Sequence, residues 1–257
     1  MSLALHEKIT ALTPKNTGDI MNYLTTQVSG IDALLSKHFQ RFMATRGSFG
    51  SYRRKLLNYS PRWEWYSSIM LLKKLPTEPL PQVDFADDSD GSAKKLVLSL
   101  LNVNVSLDDL LNYLLHMFGH TGYEKKPIVE IDFPLAAALL LQRDLFGDAY
   151  GEVMGKGLRS GTGYFPTPQS LCNMIVEMTM KDCELTHTVN DPCVGSGRML
   201  LSASNKSLFL SGNDVNPVCV KMTLVNAYMF APWIAIPVTD LKPNLQRNLY
   251  AEDTFSF

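Results

Sequence analysis

The run Asp191-Pro192-Cys193-Val194-Gly195-Ser196-Gly197 constrains this chain more than any other segment. It follows a short β-like run, Thr188-Val189-Asn190, and precedes Arg198 to Ser204, whose composition suits a helix. A strand that ends in a carboxylate and turns through G-x-G into a helix suits a nucleotide-like ligand. The glycines let the backbone approach closely, and the acid can hold a ribose hydroxyl or an ammonium group. A plain tight turn between strand and helix gives the same pattern, so this run alone leaves both readings open. A second strand, Leu208-Phe209-Leu210, runs into Ser211-Gly212-Asn213-Asp214. Its terminal acid lies about 20 residues beyond the first, where a doubly wound fold places a ribose-binding carboxylate. For Asp214 by itself a solvated loop aspartate is the alternative. Pro217 to Phe230 reads as a helix with proline in its first turn, and Trp233 to Val238 as a third strand. This alternation predicts a parallel sheet of the doubly wound kind.

The part before residue 160 has a different texture. Residues 5–75 read mainly as helix, with Thr17 to Val28 and Ile31 to Met43 carrying apolar side chains at helical spacing. Pro76 to Gly91 is rich in proline and aspartate and reads as a solvated loop or linker. Ser106-Leu107-Asp108-Asp109 has capping-box spacing and opens an apolar run through Leu115 that Gly119 can close. A second apolar helix is expected over Pro134 to Phe146. The expected division is therefore a helical region at 1–75, a linker at 76–93, a helical extension at 94–159 and a partial α/β domain at 160–257.

A hydrophobic share of 46% with 19% charged residues describes an ordinary globular protein. A formal net charge of −1 gives no global attraction to a polyanion or an anionic membrane, so a local patch must do that work. Arg41 to Lys74 offers one. Arg53, Arg54, Lys55 and Arg62 stand among Tyr52, Tyr59, Trp63, Trp65 and Tyr66, cations for phosphates interleaved with aromatic faces for bases. A solvated basic face over core aromatics is the competing reading. No stretch reaches the ~18–20 apolar residues of a membrane span, and the amino terminus lacks the apolar core of a secretory signal. A cytoplasmic location is expected. Cys172, Cys183, Cys193 and Cys219 form no C-x-x-C pair and read as reduced, buried thiols. His116 and His120 are spaced like zinc ligands, but no Glu follows His116 and Gly119 interrupts the helix, so no metal site is expected.

Gly163-Tyr164-Phe165-Pro166-Thr167-Pro168, followed by a helix over Gln169 to Met178, resembles the G-x-F-x-T-P segment of N6-adenine DNA methyltransferases. These include the modification subunits of type I restriction systems. In that family the segment precedes a D-P-x-x-G-S-G loop, as here. Gly212-Asn213-Asp214-Val215-Asn216-Pro217, with Asn226-Ala227-Tyr228-Met229 beyond it, resembles the family's second ligand motif and its helix. The resemblance covers roughly residues 160–255. It implies a helical amino-terminal region joined to a truncated Rossmann-like, doubly wound, S-adenosylmethionine-dependent methyltransferase domain. It also implies roles for single residues. Thr167 and its surroundings would meet the methionine carboxylate. Asp191 would hold the ammonium group, with Gly195 and Gly197 lining the approach. Asp214 would bind the ribose hydroxyls and Val215 would lie against the adenine. Asp253 would accept from the adenine amino group, a part Glu252 can also fill, and Phe255 would pack on the ring.

The departures from the family pattern are equally informative. The family clamps a flipped-out adenine with an N-P-P-[FYW] tetrapeptide, which accepts from the N6 amino group and stacks on the base. No such tetrapeptide occurs in the 257 residues. Arg198 stands where the family commonly has a small residue, either as a functional cation or as an exposed side chain of the first helical turn. The resemblance thus implies a protein that binds S-adenosylmethionine, is inactive alone, and forms one part of a split or truncated DNA methylase. The competing class is a non-enzymatic DNA-binding or regulatory module derived from one. DNA is the expected partner. A bare edge beside Thr188 to Asn190 calls for cover by the amino-terminal helices, a second copy or second subunit, or a longer reading frame.

Overall fold

The computed structural model describes residues 52, 55–57 and 59–238, apart from 73, 74, 124, 126 and 163. The predicted helices Thr17 to Val28 and Ile31 to Met43 lie outside the described residues.

Helix α1, Pro61–Leu72, starts on a proline that lacks only an N–H the first turn would leave unpaired anyway. From Leu75 the chain runs without helix or strand to α2, Ser92–Leu100. This stretch is not the solvated linker its composition suggests. Leu80 and Phe85 are buried, and Phe85 packs edge-on against Phe230 at 5.9 Å. The side chain of Asn205 donates to the Val83 carbonyl at 2.9 Å, and that of Asn173 donates to the Phe85 carbonyl at 2.7 Å. Apolar residues pin the segment while its aspartates face outward or cap helices.

Helix α3, Leu107–Met117, begins at the expected capping box, with the Ser106 hydroxyl and the Asp109 carboxylate each accepting the other's backbone N–H. Helix α4 is shorter than expected, Leu135–Leu141, because Gln142 enters the left-handed region at φ 49° and ends it. Helix α5, Gly147–Thr162, is kinked at Gly155, and α6, Gln169–Thr179, follows the Phe165–Pro168 segment. Strand β1, Thr188–Asp191, leads through the glycine turn to α7, Arg198–Ala203. Strand β2, Phe209–Gly212, pairs parallel with β1, Thr188 opposite Phe209 through Asp191 opposite Gly212. Helix α8, Pro217–Phe230, matches its predicted limits and is buried along most of its length.

The chain is therefore mixed α/β and rich in helix, with two parallel strands among the described residues. The third strand expected over Trp233 to Val238 is instead a short helix, α9, Pro232–Ala235, followed by extended chain. Pro232 opens this turn, and the Ile236 N–H closes it by donating to the Pro232 carbonyl at 2.8 Å. No described helix is long and apolar enough to cross a membrane.

One aromatic core joins α1 to the α/β half. Trp63 stacks on Tyr228 and its indole N–H donates to the Tyr228 carbonyl. Tyr66 donates to the Ile236 carbonyl, and Trp65 meets Trp233 edge-on at 6.2 Å. The register leaves Val189 and Asp191 bonded toward β2, so the backbone groups of Thr188 and Asn190 face the other way. That side opens on a groove of about 560 Å³ lined by Ile175, Thr179 and Met180 of α6 and its exit. Leu171, Met174 and Met178 are exposed on the same helix.

Candidate functional site

The site is built where β1 and β2 end. Asp191 closes β1 and folds the turn back by accepting the Cys193 N–H at 3.1 Å. Gly197 sits at φ 93°, a conformation L side chains resist, and an added Cβ would lie 3.1 Å from the Thr223 side chain. The Thr223 hydroxyl donates to the Gly195 carbonyl at 3.0 Å, tying the turn to α8. Asp214, just beyond β2, accepts the Gly195 N–H at 2.9 Å on one carboxylate oxygen and the Asn216 N–H at 2.9 Å on the other. The two strand-end acids thus share one turn, which brings Asp191, Gly195, Gly197 and Asp214 together as the sequence suggested. Val215 is fully exposed beside them. Asn216 caps α8 through its oxygen and donates from its amide nitrogen to the Tyr150 hydroxyl at 2.7 Å.

Arg198, the first residue of α7, is neither exposed nor free. It is 8% exposed. Its guanidinium pairs with Asp144 at 2.7 Å and Asp148 at 2.9 Å, and donates to the Thr167 carbonyl at 3.1 Å. Burial opposes its charge, but the two carboxylates outweigh that and raise its pKa above the ordinary arginine value. Thr167 itself is exposed, and its carbonyl is the link between its segment and the glycine turn.

Sequence reasoning missed Asp144. Its carboxylate accepts from the Phe146 and Gly147 amides, the Ser196 hydroxyl, Arg198 and the Asn226 side chain. Asp144 is not the N-cap of α5, a place that falls to Phe146; it precedes the helix in an Asx-type turn, accepting the amides two and three residues on. Tyr164 packs edge-on against Tyr150 at 4.8 Å and donates to the Gly147 carbonyl at 3.2 Å. Burial, with the Asp144 charge adding to it, raises the Tyr164 phenol above its usual range, so it stays protonated.

The basic patch fares differently. Arg53 and Arg54 lie outside the described residues, as do Asp253 and Phe255. Lys55 is half-buried with its ammonium 5.7 Å from the Tyr52 ring centre. Arg62 is not a phosphate contact: it is 1% exposed and donates to Pro81 and Phe230 carbonyls, the Ser204 hydroxyl and the Asn205 side chain. Burial pushes its pKa down to about 9, which leaves it charged at neutral pH. Position decides this: Arg62 shares a helical face with Trp65, Tyr66 and Ile69, all buried.

The four cysteines are free, but only Cys172 and Cys219 are buried, and Cys193 is exposed in the turn. Burial pushes the Cys172 thiol up to about 11 and the Cys219 thiol up to about 12. His116 meets the Tyr123 carbonyl at 2.8 Å and His120 the Tyr228 hydroxyl at 3.0 Å, both as core polar contacts.

Residues 141–231 match the family model for N-6 DNA methylase, a little over a third of the chain. The match spans Asp144, the Phe165–Pro168 segment, the glycine turn and α8. No curated protein and no solved structure matches the chain.

Proposed function

From residues 141–231 belonging to the N-6 DNA methylase family, we propose that this protein binds S-adenosylmethionine at the Asp191–Asp214 site and serves adenine-N6 methylation of DNA. The observation that carries this reading is electrostatic. Two carboxylates, Asp191 and Asp214, flank a left-handed glycine turn, and the cation of that turn, Arg198, is consumed by Asp144 and Asp148. A helix N-terminus with a free lysine or arginine suits phosphate. A turn with surplus negative charge suits a nucleoside that carries ammonium and sulfonium charge. Asp214 fits the ribose, because an ionised carboxylate offers about four acceptor positions and the two backbone amides occupy two of them. Thr167 would face the methionine carboxylate, Asp191 the ammonium group, and Val215 the adenine; Asp253 and Phe255 would complete the adenine end. The doubly wound, Rossmann-like arrangement expected from sequence is the fold in which these roles make sense together.

When bound, S-adenosylmethionine supplies an electrophilic methyl group. The residues of this chain bind and orient it; they do not hold the target base. No N-P-P-[FYW] sequence occurs in these 257 residues, so they account for cofactor binding without the adenine clamp, as in one part of a split or truncated methylase. DNA is the partner of the assembled enzyme, and a second subunit or second copy covering the open side of β1 completes the sheet.

Calorimetric titration with S-adenosylmethionine tests this. The intact protein is expected to bind at micromolar concentration or tighter. Asp214→Ala should weaken binding by about 1.5–3 kcal/mol, the usual worth of hydrogen bonds to a charged group. Absence of heat with the intact chain would overturn the cofactor reading and leave a DNA-binding module, which must then bind duplex DNA without regard to cofactor.

A further inference from the structure

Asp144 lies at the centre of the site and has no part in the ligand contacts set out above. Its carboxylate is 3% exposed and both oxygens are already engaged. One oxygen accepts the Phe146 amide at 3.0 Å, the Gly147 amide at 3.1 Å and the Asn226 side chain at 2.8 Å. The other accepts the Ser196 hydroxyl at 2.6 Å and Arg198 at 2.7 Å. Its partners come from the start of α5, from α8, and from the glycine turn itself. We propose that Asp144 is a positioning residue for that turn, holding Ser196, Arg198 and, through Arg198, the Thr167 carbonyl in one arrangement before any ligand arrives. The functional weight of this inference rests on the S-adenosylmethionine reading of the site.

Three observations support it. The turn has little conformational preference of its own, since Gly195 at φ 56° and Gly197 at φ 93° give it freedom that external ties must remove. Asn226 binds Asp144 and also donates to the Ser196 carbonyl at 2.9 Å, so the middle residue of the turn is gripped at both its side chain and its backbone. The surroundings admit nothing larger: a Cβ on Gly147 would lie 2.3 Å from the Asp144 oxygen and 2.6 Å from the Ser196 hydroxyl oxygen. A carboxylate is the group that suits this place, because it accepts on both oxygens and balances Arg198, whereas an amide turns a donor toward one of the two sets of donors. A turn fixed in advance spares the ligand the cost of ordering it.

The test pairs amide hydrogen exchange of the full chain, without ligand, with calorimetric titration of S-adenosylmethionine. In Asp144→Asn, exchange at residues 195–198 is expected to accelerate at least tenfold relative to the β2 amides, and the dissociation constant to rise at least tenfold. Asn205→Ala serves as the control. Asn205 ties Arg62 and Val83 together away from the turn, so this change should lower the melting temperature and leave both readings unchanged. Unchanged exchange at 195–198 in folded Asp144→Asn would overturn the proposal. If Asp144→Asn does not fold, Ser196→Ala decides, with at least threefold changes in the same two quantities expected and none overturning the proposal. If the intact protein binds no S-adenosylmethionine, the cofactor reading fails, and the exchange measurement still decides whether Asp144 positions the turn.

Discussion

Arg62 and Arg198 are both buried arginines, and their surroundings separate their roles. Arg198 meets two carboxylates and the Thr167 carbonyl, so it binds together the pieces of the candidate cofactor site. The Arg62 acceptors given above are all neutral, contributed by the chain segments that meet at α1, and its guanidinium lies over the Phe85 and Trp233 rings. Such an arrangement uses the planar fork of arginine, which lysine lacks. Arg62→Met should therefore cost about 2–3 kcal/mol in urea unfolding, because it strands buried acceptors. Arg62→Lys should recover little of that loss. Affinity for DNA should be unaffected by either change beyond the loss of folded protein. Counting charges along Arg41 to Lys74 placed Arg62 in a basic patch; the helical spacing of Arg62, Tyr66 and Ile69 was the better guide.

At the level of elements, local signals were readable and remote ones were not. The capping box at Ser106 and the proline start of α8 are written within a few residues, and both elements appear where expected. Helix α6 begins after Pro168, which has no side chain to cap it; its cap is Asp87, which accepts the Gln169 amide at 2.6 Å and the Ser170 amide at 3.3 Å. Nothing near residue 169 announces a partner so far back in the chain. In the site itself, the glycine turn and its two acids were legible because their chemistry is contiguous, whereas Asp144 acts through folded contacts. The strand expected over Trp233 to Val238 failed because its apolar residues serve a buried turn instead, and period alone does not separate the two. The Asp87 cap gives a pH prediction. Hydrogen bonds from the Ser170 hydroxyl and from the Gln169 and Ser170 amides hold its carboxyl below the usual range. A depressed folded pKa contributes stability above the unfolded value, about 4, and loses it as pH falls through the folded pKa. Asp87→Ala should cost about 1 kcal/mol at pH 7. The gap between variant and parent should narrow in acid, as pH falls below the unfolded value and through the depressed folded one, as measured by urea unfolding at each pH.

For the whole molecule, the junction between α1 and the α/β half holds all three tryptophans of the chain. Trp63, Trp65 and Trp233 are buried there with Tyr66 and Tyr228 around them. Fluorescence therefore reports on this joint, while far-ultraviolet circular dichroism reports on helices throughout. A shared core predicts that both signals change in one coincident urea transition. A fluorescence change at lower urea would mean that α1 detaches first. The side of β1 away from β2 has a different bearing. Among the described residues no strand pairs with that side, where Thr188 and Asn190 turn their backbone groups outward, so an added strand would gain about two donors and two acceptors there. That is little backbone to hold a neighbour by itself, and alone the edge is a weak seed for stacking one molecule on another. The subunit proposed to complete the sheet would therefore need side-chain contacts as well as this edge, and the exposed Leu171, Met174 and Met178 of α6 offer apolar ones.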